Sequence, residues 1–254
     1  MNCVPAGFVL FLSGIMIKMI EKTKEKRYNK NNPTNEITIK TKEKNMKIIF
    51  LGDSITEGVG ASCPINNYVC KVAEICEGVM TENFGVSGTR IARQTTPTEF
   101  RTFDYDFQMR CEVMSKDADK VFVFGGTNDY GHGDAPFGTF SDRTPDTFCG
   151  AVHCLFRGLI EKYPTKPIVV ITPLHRENDT VPNALHGKTL KDYVDVIREG
   201  AEMYSLPVLD LFASFGVCPD IPAQKAAYCP DGLHPNDAGN RKIAEKLKTF
   251  LEAL

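Results

Sequence analysis

The chain has 254 residues, 42% hydrophobic and 24% charged, with a formal net charge of −2, a balance ordinary for a soluble globular protein with a sizeable core. The charge is unevenly placed: residues 1–45 hold nine Lys/Arg against four Asp/Glu, while residues 46–254 hold 21 against 28. An acidic globular part without clustered Lys/Arg excludes nucleic acid as a partner, because phosphate binding needs such clusters.

Residues 4–20 form an apolar run interrupted by Lys18. It is short for a membrane-spanning helix, and no basic segment precedes it as in a signal peptide. Residues 21–45, rich in Lys, Asn, Thr and Glu, read as a disordered linker. A membrane anchor and an unusual signal peptide are two readings of this part. The preferred third is that Met46 is the true start, since it stands directly before the first core strand. The domain expected to carry function is therefore residues 46–254.

From Met46 onward strands and helices alternate. Ile48 to Leu51 is a continuous apolar run closed by Gly52, the pattern of a strand buried on both faces. Asn66 to Glu77 has apolar residues at 69, 72, 73 and 76, a helical spacing. Val79 to Gly85 is a weaker strand, and Phe100 to Ser115 a helix of mixed pattern. Lys120 to Phe124 is the third strand, followed by Gly125-Gly126-Thr127-Asn128-Asp129 and a polar loop from Tyr130 to Thr144. Pro145 to Tyr163 reads as a helix with proline in its first turn, Pro167 to Thr172 as a strand, Leu190 to Tyr204 as a helix, and Pro207 to Leu211 as the fifth strand. A loop with three prolines leads to Asp231-Gly232-Leu233-His234, and Asn236 to Leu254 closes the chain as a helix. Right-handed crossovers then give a three-layer α/β/α sandwich around a five-stranded parallel sheet, ordered 2-1-3-4-5 as in flavodoxin-like folds.

Polar clusters fall just past the ends of strands one, two and three. In that order strands one and three flank the switch point where open α/β sheets place their chemistry, so Ser54 and Asn128 face one crevice. A serine becomes a nucleophile when an oriented base removes its proton. Asp231 and His234, three residues apart, supply a carboxylate and an imidazole that a turn can bring together. The amides of Ser54 and Gly88 and the side chain of Asn128 are candidate oxyanion donors. Asp53, Asp129 and His175 are further candidates for touching substrate, although Asp53 also suits a helix cap and Asp129 a loop brace. His175, with Arg176, stands at the carboxyl edge of the fourth strand, and His132 follows the Asn128 cluster. Asp210, ending strand five, is the rival triad acid.

Gly52-Asp53-Ser54-Ile55-Thr56, Gly88, Gly126-Thr127-Asn128-Asp129 and Asp231-Gly232-Leu233-His234 resemble, in order, the four sequence blocks of the SGNH (GDSL-like) hydrolases. The resemblance covers residues 46–254. It implies a flavodoxin-like sheet and ester hydrolysis without metal or cofactor, with Ser54 as nucleophile, Asp231 and His234 completing the triad, and Ser54, Gly88 and Asn128 as the oxyanion hole. Short acyl esters, including acetyl groups on carbohydrate, are the expected substrates; lysophospholipids and thioesters are the alternatives within the family. Outside it stand a non-hydrolytic flavodoxin-like binding protein and a metallophosphoesterase using Asp53, Asn128, His175 and His234, though no Walker-type lysine or dense ligand cluster supports either.

The nine cysteines, at 3, 63, 70, 76, 111, 149, 154, 218 and 229, contain no CxxC pair. They read as reduced thiols of a cytoplasmic protein, with Cys70, Cys76 and Cys154 on apolar helical positions.

Overall fold

In the computed structural model, residues 45–254 are described; the readings of residues 1–44 lie outside them. Strands β1 (Met46–Gly52), β2 (Val79–Gly85), β3 (Lys120–Phe124), β4 (Ile168–Ile171) and β5 (Val208–Leu209) form one sheet in the order 2-1-3-4-5. Every pair is parallel, and the register sets Gly52 beside Gly85 on one side and Phe124 on the other. The ends of β1, β2 and β3 therefore open onto a single edge.

Ile48, Ile49, Phe50 and Leu51 are all fully buried. Their side chains alternate between two cores, as the two-residue period of a strand requires. Ile49 and Leu51 join Val121, Val123, Ile168 and Val170 in one, and Ile48 and Phe50 join Phe122, Phe124, Val169 and Ile171 in the other. Helices α3 (Phe107–Val113), α5 (Phe148–Lys162) and α6 (Leu190–Met203) cover the first face, and α2 (Tyr68–Ile75) and α9 (Asp237–Ala253) the second. Each such side chain contributes roughly 1.5–3 kcal/mol when buried, which is why β1 is fixed in the centre.

Short elements lie between the longer ones: α1 (Ser54–Glu57), α4 (Thr127–His132), α7 (Leu211–Ser214) and α8 (Pro222–Tyr228). Several boundaries differ from the sequence reading, and side-chain caps explain most of them. Helix α5 starts at Phe148 rather than Pro145, because Thr147 Oγ1 accepts from the Gly150 amide at 3.1 Å. Asn67 caps α2 and Asn236 caps α9. Strand five stops at Leu209, because Asp210 turns its carboxylate onto the Ala213 amide and begins α7. The loop expected from Tyr130 is helical as far as His132, and the proline-rich loop contains α8 with Pro222 in its first turn. Cys111, Cys149 and Cys229 are the buried thiols, whereas Cys70, Cys76 and Cys154 are half-buried. Among the described residues no helix is long and apolar enough to cross a membrane.

Among the described residues the buried side chains of both cores run from residue 48 to residue 247, and residues 46–254 are proposed as a self-sufficient folding unit. Deleting residues 1–45 is expected to leave the circular-dichroism spectrum of an α/β protein and a cooperative thermal transition; a chain that no longer unfolds cooperatively would place the boundary elsewhere.

Candidate active site

The site is assembled on three turns at the carboxyl edge of the sheet. Gly52 ends β1 where no side chain fits, since a Cβ there would lie 1.8 Å from Thr56 Oγ1. Asp53 then caps α1 by accepting from the Ile55 amide at 3.0 Å, so the capping role weighed from sequence is the one its carboxylate performs. Ser54 opens α1 and is directed out of the cap: its Oγ lies 2.9 Å from His234 Nε2. His234 Nδ1 lies 2.6 Å from Asp231 Oδ2. Because a carboxylate only accepts, Nδ1 carries the proton and Nε2 is left to accept from Ser54.

Asp231 is fixed by the turn it begins. Its Oδ1 accepts from the amides of Leu233 at 2.9 Å and His234 at 2.7 Å, an Asx-type arrangement that explains the three-residue spacing. Partial burial raises its carboxyl, but these two amides and the imidazole outweigh burial and hold it below the usual carboxylate range. Its side chain remains 53% exposed. The same turn is tied to the segment after β4, where the Glu177 amide donates to Gly232 O at 2.7 Å.

Gly88 lies on the loop after β2 with φ +73°, a conformation that favours glycine, and a Cβ would meet the Phe103 ring at 2.6 Å. The loop is bound to both neighbouring turns. Val86 donates its amide to Gly52 O at 3.1 Å, and Asn128 Nδ2 donates to Thr89 O at 2.9 Å. That bond uses one of the two amide hydrogens of Asn128 and ties the side chain to the Gly88 loop.

The neighbouring candidates have other partners. Asp129 is buried and accepts from the amides of Ile91 at 3.0 Å and Ala92 at 2.8 Å, which fixes the loop beyond Gly88. Burial raises it to about 6 against those amides and the pull of Arg90. Burial raises Asp53 further, to about 7, with Ile55 N and Arg110 opposing and Asp129 adding to the rise. His175 pairs with the buried Asp179 at 2.6 Å and packs its ring over Phe212. Asp210 accepts from Thr172 and Arg198 and is not brought to His234. His132, at the exposed rim of α4, faces Arg90 Nη1 at 2.7 Å through Nδ1; desolvation of its ring with the fields of Arg90 and Arg176 pushes it down to about 4, so it is neutral. Among the described residues no group of three or more His, Cys, Asp or Glu is arranged to hold a metal ion.

The sequence model of the GDSL-like lipase/acylhydrolase family matches residues 50–242, spanning the Ser54 turn, the Asn128 turn and the Asp231–His234 turn. The chain belongs to that family. No curated protein matches it. Among solved structures, a protein from Lactobacillus plantarum is 35% identical with a TM-score of 0.71, over 82% of this chain and 97% of that one. A member of the lipolytic G-D-S-L family from Veillonella parvula is 20% identical, with a TM-score of 0.56 over 82% and 100%. A two-domain esterase active on acetylated mannans is 22% identical, with a TM-score of 0.55 over 82% of this chain and 49% of its own. The last two likenesses concern the fold alone. For a GDSL-like hydrolase the sequence reading missed Arg110, which no motif marks. Its guanidinium donates to Gly52 O at 2.8 Å, Phe84 O at 2.7 Å and Thr89 Oγ1 at 2.9 Å, joining the Ser54 turn to the Gly88 loop.

The raised carboxyls give a test by pH. Between the unfolded carboxyl value of ~3.9 and their own raised values, about 7 for Asp53 and about 6 for Asp129, the native residues keep protons that the unfolded chain has released. Their contribution to stability is complete below the unfolded value and is lost as pH rises through about 6 and about 7. Asp53→Asn keeps a capping oxygen and removes one titration, so its melting temperature should fall less steeply with pH than wild type over this window. Parallel curves would show that Asp53 is ionised throughout.

Proposed function

We propose that the protein hydrolyses short-chain acyl esters through an acyl-enzyme formed on Ser54. The observation that carries this reading is the unbroken line of hydrogen bonds from Ser54 Oγ through His234 to Asp231, at the edge where β1 and β3 end. The Ser54 hydroxyl attacks the ester carbonyl while Nε2 of His234 takes its proton. Asp231 holds the tautomer and balances the imidazolium. The carbonyl oxygen, now an anion, is received by the amides of Ser54 and Gly88 and by Asn128 Nδ2. The imidazolium returns its proton to the departing alkoxide. Water, activated by the same imidazole, then releases the acid and restores Ser54.

The acyl class follows from a weaker argument. Acetylated carbohydrate is the first candidate, since one fold neighbour is active on acetylated mannans. Lysophospholipids and thioesters are the competing substrates. The eight thiols of the described residues, none in a disulfide, support a reducing, cytoplasmic setting.

Ser54→Ala and His234→Ala should each remove nearly all hydrolysis of 4-nitrophenyl acetate, and the double variant should be scarcely worse than either, because the residues act as a unit. A serine-directed phosphonate should label wild type once, at Ser54. Asp231→Asn should be milder, since a carboxylate half in water is partly screened; labelling elsewhere, or a silent Asp231→Asn beside a crippling Asp210→Asn, would overturn the triad.

The oxyanion assignment is tested separately. Asn128→Ala should lower kcat by roughly 10²–10³ with little change in KM, because the lost donor acts mainly in the transition state. An unchanged kcat removes Asn128 from the chemistry. A series of 4-nitrophenyl esters of rising chain length, beside acetylated oligosaccharides, reads the substrate class; activity rising with chain length beyond butyrate would favour the lipid reading.

A further inference from the structure

Around this edge Arg110, Arg90 and Arg198 each bind several partners inside the protein, although the buried Nε of Arg90 has none. Arg110 donates to Tyr105 O, Gly52 O, Phe84 O and Thr89 Oγ1. Arg90 is divided among His132, Phe103 O and Asp104. Arg198 binds Asp195 and Asp210. Arg176 is different. Its guanidinium makes one long hydrogen bond, from Nη1 to Thr127 O at 3.3 Å, and lies over the Tyr130 ring at 5.6 Å.

The position of Arg176 is defined from two sides. Thr127 immediately precedes Asn128, so the guanidinium rests on the turn that carries the oxyanion donor. On the other side, the amide of the next residue, Glu177, is bonded to Gly232 O within the Asp231–His234 turn. Arg176 thus stands between the two halves of the site. It is partly exposed, and its Nη1 lies over the exposed Gly131.

The carboxylates that act on Arg176 through space are Asp179, Asp231 and Asp53, and each is held elsewhere. Asp179 accepts from His175 and from the backbone amide of Arg176 itself. Asp231 is held by His234 and the amides of its own turn, and Asp53 by Ile55 N. A half-buried guanidinium with no carboxylate pair leaves a fork of N–H donors suited to a two-oxygen anion.

We propose that Arg176 binds an anionic oxyacid group, carboxylate or phosphate, carried by the ester substrate, so that the site selects charged esters over neutral ones; the proposal rests on the ester-hydrolase reading above. Arg176 would then be a specificity residue, set beside the reacting carbonyl but acting on a remote part of the substrate.

The test uses the full chain and three matched pairs: 4-acetoxybenzoate and 4-acetoxyphenyl phosphate, each against phenyl acetate, and 4-nitrophenyl hemisuccinate against 4-nitrophenyl butyrate. Rates are normalised to alkaline hydrolysis. The wild-type ratio of kcat/KM, charged over neutral, should exceed about tenfold for at least one pair, as a charge-assisted bidentate contact supplies. Whether the carboxylate or the phosphate pair responds identifies the anion. Arg176→Gln should bring the ratio close to one, mainly through KM, and Arg176→Lys should retain part of it. Gly131→Ala gives an independent check, because its methyl would lie 2.6 Å from Nη1, the movable end of the side chain, and should lower the ratio by displacing the guanidinium. Ratios near one in wild type, or unchanged in Arg176→Gln, overturn the proposal. Calorimetric binding of the three charged esters to Ser54→Ala protein, with and without Arg176→Gln, separates the two readings. Arg176-dependent binding with no wild-type hydrolysis would sink the hydrolase reading alone, and hydrolysis without Arg176-dependent binding would sink this one alone.

Discussion

The Arg110 guanidinium is the contact on which the candidate site depends. A charge taken out of water is costly unless its hydrogens find acceptors. Arg110 is buried, stacks on Phe107 at 4.4 Å, and meets acceptors at the end of β1, near the end of β2 and on the Gly88 loop. Burial lowers it to about 10 against the opposing pull of Asp53, Asp106 and Glu57, so it stays charged at neutral pH. A parallel sheet by itself brings strand ends to one edge without fixing the loops that leave them. Arg110 fixes two of them in one frame, and the Asn128–Thr89 bond ties in the third.

That frame makes consecutive residues do different work. Asp53 points back to cap α1 while Ser54 points to His234. Asn128 reaches the Gly88 loop at Thr89 O while Asp129 braces the same loop two and three residues further on, at Ile91 and Ala92. In each pair the buried acid sets the backbone, and its neighbour bonds across to another turn, Ser54 to His234 and Asn128 to Thr89. The Asp residues of both blocks thus have a structural reason to accompany the polar residue beside them.

Sheet order and site location were legible in the sequence because both follow from burial. The runs at Ile48–Leu51, Lys120–Phe124 and Pro167–Thr172 admit little but central parallel strands, and polar blocks stand at the ends of the first two. The Asp231–His234 pair was legible because an Asx turn closes over three residues. Short helices were not. Helix α8 and the extension of α4 to His132 have too few turns for an apolar period, and their ends are set by Pro222 and by packing. Arg110 was hidden for a different reason: on a mixed-pattern helix its long polar side chain reads as solvent-facing, and only the fold turns it inward.

Environment, more than sequence spacing, sorts the carboxylates of this edge. Asp53 and Asp129 are close to the chemistry but almost wholly buried, and burial raises both towards neutrality; such a group is a poor partner for an imidazolium because it is partly protonated when needed. Asp210 is held below the usual range despite partial burial, through Arg198, Ala213 N and Thr172, but its charge is already balanced by the guanidinium. Asp231 alone combines a lowered carboxyl, an oxygen directed at His234 and no competing cation pair. Its exposure weakens the field it exerts, since water screens a charge at the surface. In the proposed triad its contribution to His234 would therefore lie more in fixing the tautomer and ring orientation than in long-range electrostatics. The three backbone and ring donors that grip it are what make an exposed aspartate rigid enough for that task.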